Sequence, residues 1–219
     1  MAKKINQNCT IYLVRHGETD ANVSGNIQGL GNNPLNENGV NQAKAAARRL
    51  KKIPFKAAFS SDLIRAKKTA EILAQKHKLA VITTKALRER SFGQLDGIHE
   101  QDFRQKLKKE LEKFEALSDQ EKFKYNFPYG IENLGSAVSR LIFFLREISL
   151  AYPGEKVLVV SHGAMIRYLL IKLGWATYNQ LPLYPKFAVS NLGYVVLECD
   201  GLDFFIQDTW GVYKNEFKS

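Results

Sequence analysis

Two histidines in this chain are each followed by glycine and preceded by an apolar, β-branched run: His16 after Thr10-Ile11-Tyr12-Leu13-Val14-Arg15, and His162 after Val157-Leu158-Val159-Val160-Ser161. Runs of that kind suit strands buried on both faces of a parallel sheet. Both imidazoles therefore fall at carboxyl ends of strands, where open α/β sheets form their ligand crevices, so two turns far apart in sequence can converge. Gly17 and Gly163 permit tight turns and close backbone approach to a ligand. Arg15 and Arg65 add cations, and Glu89 adds a carboxyl that can carry a proton. A nucleophile, clamps for an anion and an acid are the set that phosphoryl transfer through a covalent intermediate requires.

Singly, these residues have plainer readings. Arg65 sits in the first turn of an expected helix, where its charge opposes the helix dipole by about 0.3–1 kcal/mol unless an anion binds nearby; alone it reads equally as an exposed surface arginine. Glu89, in Leu87-Arg88-Glu89-Arg90-Ser91-Phe92-Gly93-Gln94-Leu95-Asp96-Gly97, is flanked by two arginines and alone reads as half of a surface ion pair.

The elements that must position these residues alternate between short apolar runs and longer amphipathic stretches, the pattern of strands and crossover helices around a mostly parallel sheet. Strands are expected at 10–14, 57–60, 80–83 and 156–160, with further strands at 187–190, 193–199 and 203–208 and a hairpin turn at Asp200-Gly201. Asn36 is offered as the N-cap of a helix whose stripe is Val40, Ala43, Ala47 and Leu50, while Lys44, Arg48, Lys51 and Lys52 form its wet face. A second helix is expected near Ser61, and a long one over about 132–151 stops before Tyr152-Pro153-Gly154. Residues 101–130 read as a packed helix plus loop, or as a lid over the site.

At 219 residues, 45% hydrophobic and 25% charged, the chain is expected to be one globular α/β domain spanning 1–219. No run approaches the roughly 20 apolar residues of a membrane helix, and the opening lacks a signal peptide's apolar segment, so a cytoplasmic location is expected. Cys9 and Cys199 are too few and too far apart for a disulfide framework or zinc site. The net charge of +10 lies wholly in residues 1–110, a field that can steer phosphorylated metabolites or nucleic acid.

Four blocks in order, Arg15-His16-Gly17-Glu18-Thr19, the stretch Ser60 to Leu73, the stretch Leu87 to Gly97, and Ser161-His162-Gly163-Ala164-Met165-Ile166-Arg167, resemble the signature of the histidine phosphatase superfamily over about residues 10–175. The resemblance implies a three-layer, phosphoglycerate mutase-like α/β sandwich with a mostly parallel central sheet flanked by helices. It implies that His16 becomes phosphohistidine, that Arg15, Arg65, His162 and Asn22 hold phosphoryl oxygens, and that Glu89 is the proton donor; Gln28, Gly29 and Gly163 fall on substrate-contacting positions. Glu132 falls where the family often has Gly-Glu-Ser, but Asn133 departs from the serine, so Glu132 is given no catalytic part.

Two arginines and a cationic His162 can offset phosphate charge, so no metal or other cofactor is expected, and His77 and His99 form no evident ligand cluster. Hydrolysis and mutase action share such a site. Gln28-Gly29 resembles the phosphatase members, Ser91-Phe92-Gly93 replaces the mutases' His-Tyr-Gly, and Ala164 stands where mutases carry Asn. The expected function is a metal-independent phosphomonoesterase of the histidine acid phosphatase type acting on a small phosphorylated metabolite. Phosphoglycerate mutase is the alternative, and a basic nucleic-acid-binding module on the same fold is a weaker rival that leaves His16 and Glu89 without a task. No membrane partner is expected, and the sequence leaves the oligomeric state open, a homodimer included.

Overall fold

The computed structural model describes residues 8–181 and 188–215. The first seven residues and position 187, where one strand was expected to begin, lie outside these.

Six strands form one sheet in the order β3-β2-β4-β1-β5-β6: β1 (Cys9–Arg15), β2 (Phe55–Ser61), β3 (Val81–Thr84), β4 (Lys156–Ser161), β5 (Val189–Cys199) and β6 (Phe204–Val212). The first four pair in parallel, while β5 runs antiparallel to β1 and β6 antiparallel to β5. Pleating divides each central strand between two cores. Ile11, Leu13, Val157 and Val159 face α7 (Leu134–Ala151) and α8 (Gly163–Lys172). Val14, Leu158 and Val160 face α2 (Glu37–Leu50) and α3 (Ile64–Gln75). This is the expected three-layer α/β sandwich, and no described helix is long and apolar enough to cross a membrane.

β1 and β4 are neighbours, with Arg15 level with Ser161, yet their connections leave toward opposite faces: β1 continues into α2 on one layer and β4 into α8 on the other. A crevice must open where the two connections part. That is the spot at which His16 and His162 emerge.

Helix starts follow their caps rather than the apolar pattern. α3 begins at Ile64, because the Ser61 hydroxyl accepts from the Leu63 amide and holds the intervening turn. α7 begins at Leu134 because the Asn133 side chain caps the amides of Gly135 and Ser136. α2 has the expected Asn36 cap, and Lys44, Arg48, Lys51 and Lys52 are exposed. A short α1 (Asp20–Val23) follows the His16 turn.

Two expectations are corrected. The strands at 187–190 and 193–199 are one strand, β5, whose register against β6 is irregular between Val189 and Tyr194, with Leu192 at φ +57°. Asn191 and Leu192, the two residues left between the expected strands, lie within this irregularity. Residues 101–130 form three short helices, α4 (Glu100–Lys106), α5 (Lys108–Glu115) and α6 (Asp119–Lys122), broken at Leu107 and Ser118.

The turn after β1 lies backbone against backbone on the start of α2. A Cβ at Gly39 would meet the Glu18 carbonyl oxygen at 2.1 Å, and one at Gly17 would meet the Gly39 oxygen at 2.6 Å. Alanine within a helix gains up to about 1 kcal/mol over glycine, but overpacking costs about 1–3 kcal/mol, and neither backbone can yield. Gly39→Ala is therefore expected to lower the urea unfolding midpoint, and an unchanged or higher midpoint would contradict this packing.

Candidate active site

His16 lies at the end of β1, 3% exposed. Its Nδ1 is 2.7 Å from the carbonyl of Gly17. A carbonyl can only accept, so Nδ1 carries the hydrogen and Nε2 keeps its lone pair. Nε2 faces the cavity and accepts from Arg65 Nε at 3.3 Å. The turn is held from behind, with the Gly17 amide donating to Thr69 and Asn191 donating to the His16 carbonyl at 3.0 Å. Burial above all, and then Arg65 and Arg15, hold the His16 imidazole well below its ordinary pKa.

Arg65 is not the surface arginine its position allowed. It is fully buried, its terminal nitrogens donating to the carbonyls of Gly31 (2.7 Å) and Gly29 (2.8 Å). Gly29 holds φ +45°, and a Cβ there would strike Asp96, so the loop that presents these carbonyls requires glycine at that place. Arg15 crosses Gly163, where a Cβ would come within 3.0 Å of its side chain, and donates to the Val189 carbonyl. Burial lowers both guanidinium pKa values to about 10.

His162 caps α8 and lies edge-on to His16, ring centres 5.2 Å apart. Neither of its ring nitrogens has a hydrogen-bond partner among the described residues. Burial, Arg65 and His16 push its pKa well down. Burial and the neighbouring cations thus disfavour the cationic His162 that the sequence reading invoked, and a bound anion is what would favour it.

Glu89 lines the same cavity. Its neighbours do not pair with it: Arg88 forms a two-pronged bridge to Asp62 at 2.7 Å, and Arg90 Nε donates to the Glu132 carbonyl at 2.7 Å. Removal from water raises the Glu89 pKa more than the amides of Arg90 and Ala164 and the cations Arg65 and Arg140 lower it. Behind this loop, Arg140 of α7 bonds both oxygens of Glu132 and donates to the carbonyls of Ala86, Arg88 and Glu89. Ser91 donates to Glu132 as well.

The cavity, about 370 Å³, is floored by Arg15, His16, Arg65 and Gly163 and walled by Asn22, Gln28, Gly29 and Glu89. All nine residues singled out from sequence thus meet at one cavity except His162, which lies beneath His16 and is fully buried. Asn22 uses Oδ1 to accept from Thr19 in a capping box, so its contribution to the cavity is N–H donation. The roof comes from the 101–130 excursion through Phe103, Leu111, Phe114 and Phe127.

Asn191 and Arg140 escaped the sequence reading. Asn191 was legible only as a polar break between apolar runs. Arg140 follows Glu132 by eight residues on a helix whose neighbours Ala137, Val138 and Leu141 are buried, and an arginine on that face was its only signal. Among the described residues no group of three or more His, Cys, Asp or Glu side chains is disposed to hold a metal ion.

The model of the histidine phosphatase superfamily (branch 1) matches residues 11–209. A metal-independent phosphoserine phosphatase of Arabidopsis thaliana is 37% identical over 169 residues, covering 76% of this chain and 69% of that protein. A 2,3-bisphosphoglycerate-dependent phosphoglycerate mutase of Allorhizobium ampelinum is 36% identical, covering 78% and 82%. The solved structure of a mycobacterial glucosyl-3-phosphoglycerate phosphatase complexed with VO3 superposes with a TM-score of 0.75 at 26% identity, covering 93% of this chain and 98% of that one. With the family model spanning nearly the whole described chain and both histidine turns inside it, the protein belongs to the histidine phosphatase superfamily.

Proposed function

We propose that this phosphatase-family chain is a metal-independent phosphomonoesterase that works through a phosphohistidine at His16 and acts on a small phosphorylated metabolite. One observation carries the reading: His16 Nε2 carries no hydrogen, and His16 lines one cavity together with two buried guanidiniums.

The Nε2 lone pair attacks phosphorus while the ester P–O bond breaks, and the leaving oxygen takes the proton of the Glu89 carboxyl. The Glu89 carboxylate then accepts a proton from water as its oxygen attacks phosphorus. The P–N bond breaks, its electrons return to Nε2, and alcohol and inorganic phosphate leave. Arg15 and Arg65 hold the phosphoryl oxygens, with the Arg65–His16 hydrogen bond exchanged for phosphate. His162 gains a proton as the dianion enters. Asn22, Gln28, Gly29 and Gly163 line the place where the ester sits. The 219 residues form one catalytic domain, with α4–α6 as the lid of its site.

Phosphoglycerate mutase action is the second reading, favoured by the mutase relative at 36% identity. There a substrate hydroxyl rather than water accepts the phosphoryl group. The phosphatase relative at 37% identity and Ala164 beside His162 favour hydrolysis.

The direct test is phosphate release from p-nitrophenyl phosphate in excess EDTA: the intact chain is expected to be active and His16→Ala inactive, whereas loss of activity in EDTA would contradict the metal-independent reading. Isomerisation of 3-phosphoglycerate dependent on 2,3-bisphosphoglycerate, with negligible phosphate release, would replace it with the mutase. Because Glu89 must start protonated and its pKa is raised, kcat/KM should hold at acidic pH and fall as pH rises through that value. Glu89→Gln should lower kcat by about 10²–10⁴-fold and remove this alkaline limb; a variant profile that kept the limb would assign it to another group. Nitrogen-15 shifts should show His162 neutral at pH 7 in the empty chain and protonated with saturating inorganic phosphate. A His162 charged without phosphate would contradict the electrostatic account.

A further inference from the structure

Away from His16, the cavity keeps two buried cations that the proposed chemistry does not use. Arg90 is 5% exposed and Arg167 is 1% exposed, and both line the cavity. Arg90 gives Nε to the Glu132 carbonyl and lies 5.4 Å from the ring centres of Phe92 and Phe127. Arg167 gives Nε to the Leu181 carbonyl and Nη2 to that of Tyr178, whose ring it covers at 3.8 Å. Phe127 beside Arg90 packs on Phe114 at 5.1 Å, and Phe114 packs on Tyr178 beside Arg167 at 5.4 Å, so one run of rings joins the two cations.

In each guanidinium one terminal nitrogen, Nη2 of Arg90 and Nη1 of Arg167, is buried without an acceptor among the described residues. Neither forms an ion pair with a described carboxylate. The acids around them are directed elsewhere: Glu132 bonds Arg140 and Glu100 bonds Arg104. Glu115 also lines the cavity, outside ion-pair distance of both. A buried donor left unmet costs about 1–3 kcal/mol, more when it is charged, and a bidentate anion is the group that best removes that cost. The aromatic walls around these cations would pack a carbon frame but offer no second acceptor.

We infer that Arg90 and Arg167 form a second anion subsite, so that the substrate is a phosphate monoester bearing another anionic group, a carboxylate or a second phosphate. The inference rests on the phosphatase reading for the placement of the first phosphate at His16.

Binding is the cleanest readout, because it needs no turnover. Calorimetry on the His16→Ala chain would compare 3-phosphoglycerate with glycerol 3-phosphate, 4-carboxyphenyl phosphate with phenyl phosphate, and fructose 1,6-bisphosphate with fructose 6-phosphate. The first two pairs read a carboxylate at two reaches, and the third reads a phosphate. In at least one pair the doubly anionic member is expected to bind tenfold or more tightly. Adding Arg90→Gln or Arg167→Lys should bring that ratio toward one, the lysine leaving a cation at the 178–181 loop while removing the forked donor. Ratios near one in every pair, no binding by any ester, or a ratio untouched by both substitutions would overturn the inference. Wild-type release from p-nitrophenyl phosphate separates the two claims: release with flat ratios sinks the subsite alone, and no release with a strong ratio sinks the phosphatase reading while the subsite stands.

Discussion

Positive charge buried at one end of the sheet is the constraint around which the rest of the site is arranged. Arg15 and Arg65, 3% and 0% exposed, lie where β1 and β4 part. Taking a guanidinium out of water is costly unless its donors are met and its charge balanced. Here the carbonyls of Gly29 and Gly31 accept from the terminal nitrogens of Arg65 and that of Val189 accepts from Arg15, and no described carboxylate bridges Arg65. Burial is the first cause of the lowered pKa of both arginines and both histidines, and the neighbouring arginines add to it at the histidines. Salt bridges would stabilise the empty chain further, but they would fill the place of the incoming dianion. Gly29 and Gly163 follow from the same constraint, since a side chain at either would displace the group that brings a cation into position.

Glu89 faces the opposite difficulty. As the proposed acid it would have to lie close enough to the phosphate to give up a proton, yet remain protonatable beside cations that favour its ionised form. The surrounding loop resolves this by turning the neighbouring charges outward. Arg88 is bound to Asp62, Arg90 Nε to a carbonyl, and Arg140 to Glu132, so none of these three guanidiniums pairs with the Glu89 carboxyl directly. Desolvation then outweighs attraction. Glu132 and Arg140 accordingly hold the backbone of residues 86–91, and the Arg140 charge acts on Glu89 from behind that loop. That fits the family position of Glu132 without giving it contact with substrate.

What could be read in the sequence divides along a physical line. β1 and β4 were legible because doubly buried strands need continuous β-branched and aliphatic runs, and the two His-Gly turns follow directly from them. The Asn36 cap was legible for the same reason, a side chain with a local task. Arg65 was ambiguous because the groups that bury it are carbonyls of residues 29 and 31, and a carbonyl leaves no mark on residue type. The gap expected at Asn191 and Leu192 is an irregularity within β5, where the register against β6 shifts without the strand ending. Helix starts at 64 and 134 were displaced by the Ser61 hydroxyl, which holds the turn before Ile64, and by the Asn133 cap, neither of which periodicity registers. The catalytic roles themselves came from resemblance, because spacing alone cannot tell a buried cation from a surface one.

Chemistry and selectivity are thus written in different parts of the chain, and Tyr178 is where they meet. The His16 cluster is built on strand ends, whereas the roof comes from α4–α6 and the far wall from residues 175–181. Tyr178 takes the Phe114 ring at 5.4 Å, the Lys122 ammonium at 5.2 Å and the Arg167 guanidinium at 3.8 Å, while its amide donates to Asp119 at 3.0 Å. Arg167 stands one helical turn and a half beyond His162 on α8. A change in the roof can therefore reach the helix that carries His162 through a single packed ring, without touching the strands that hold His16.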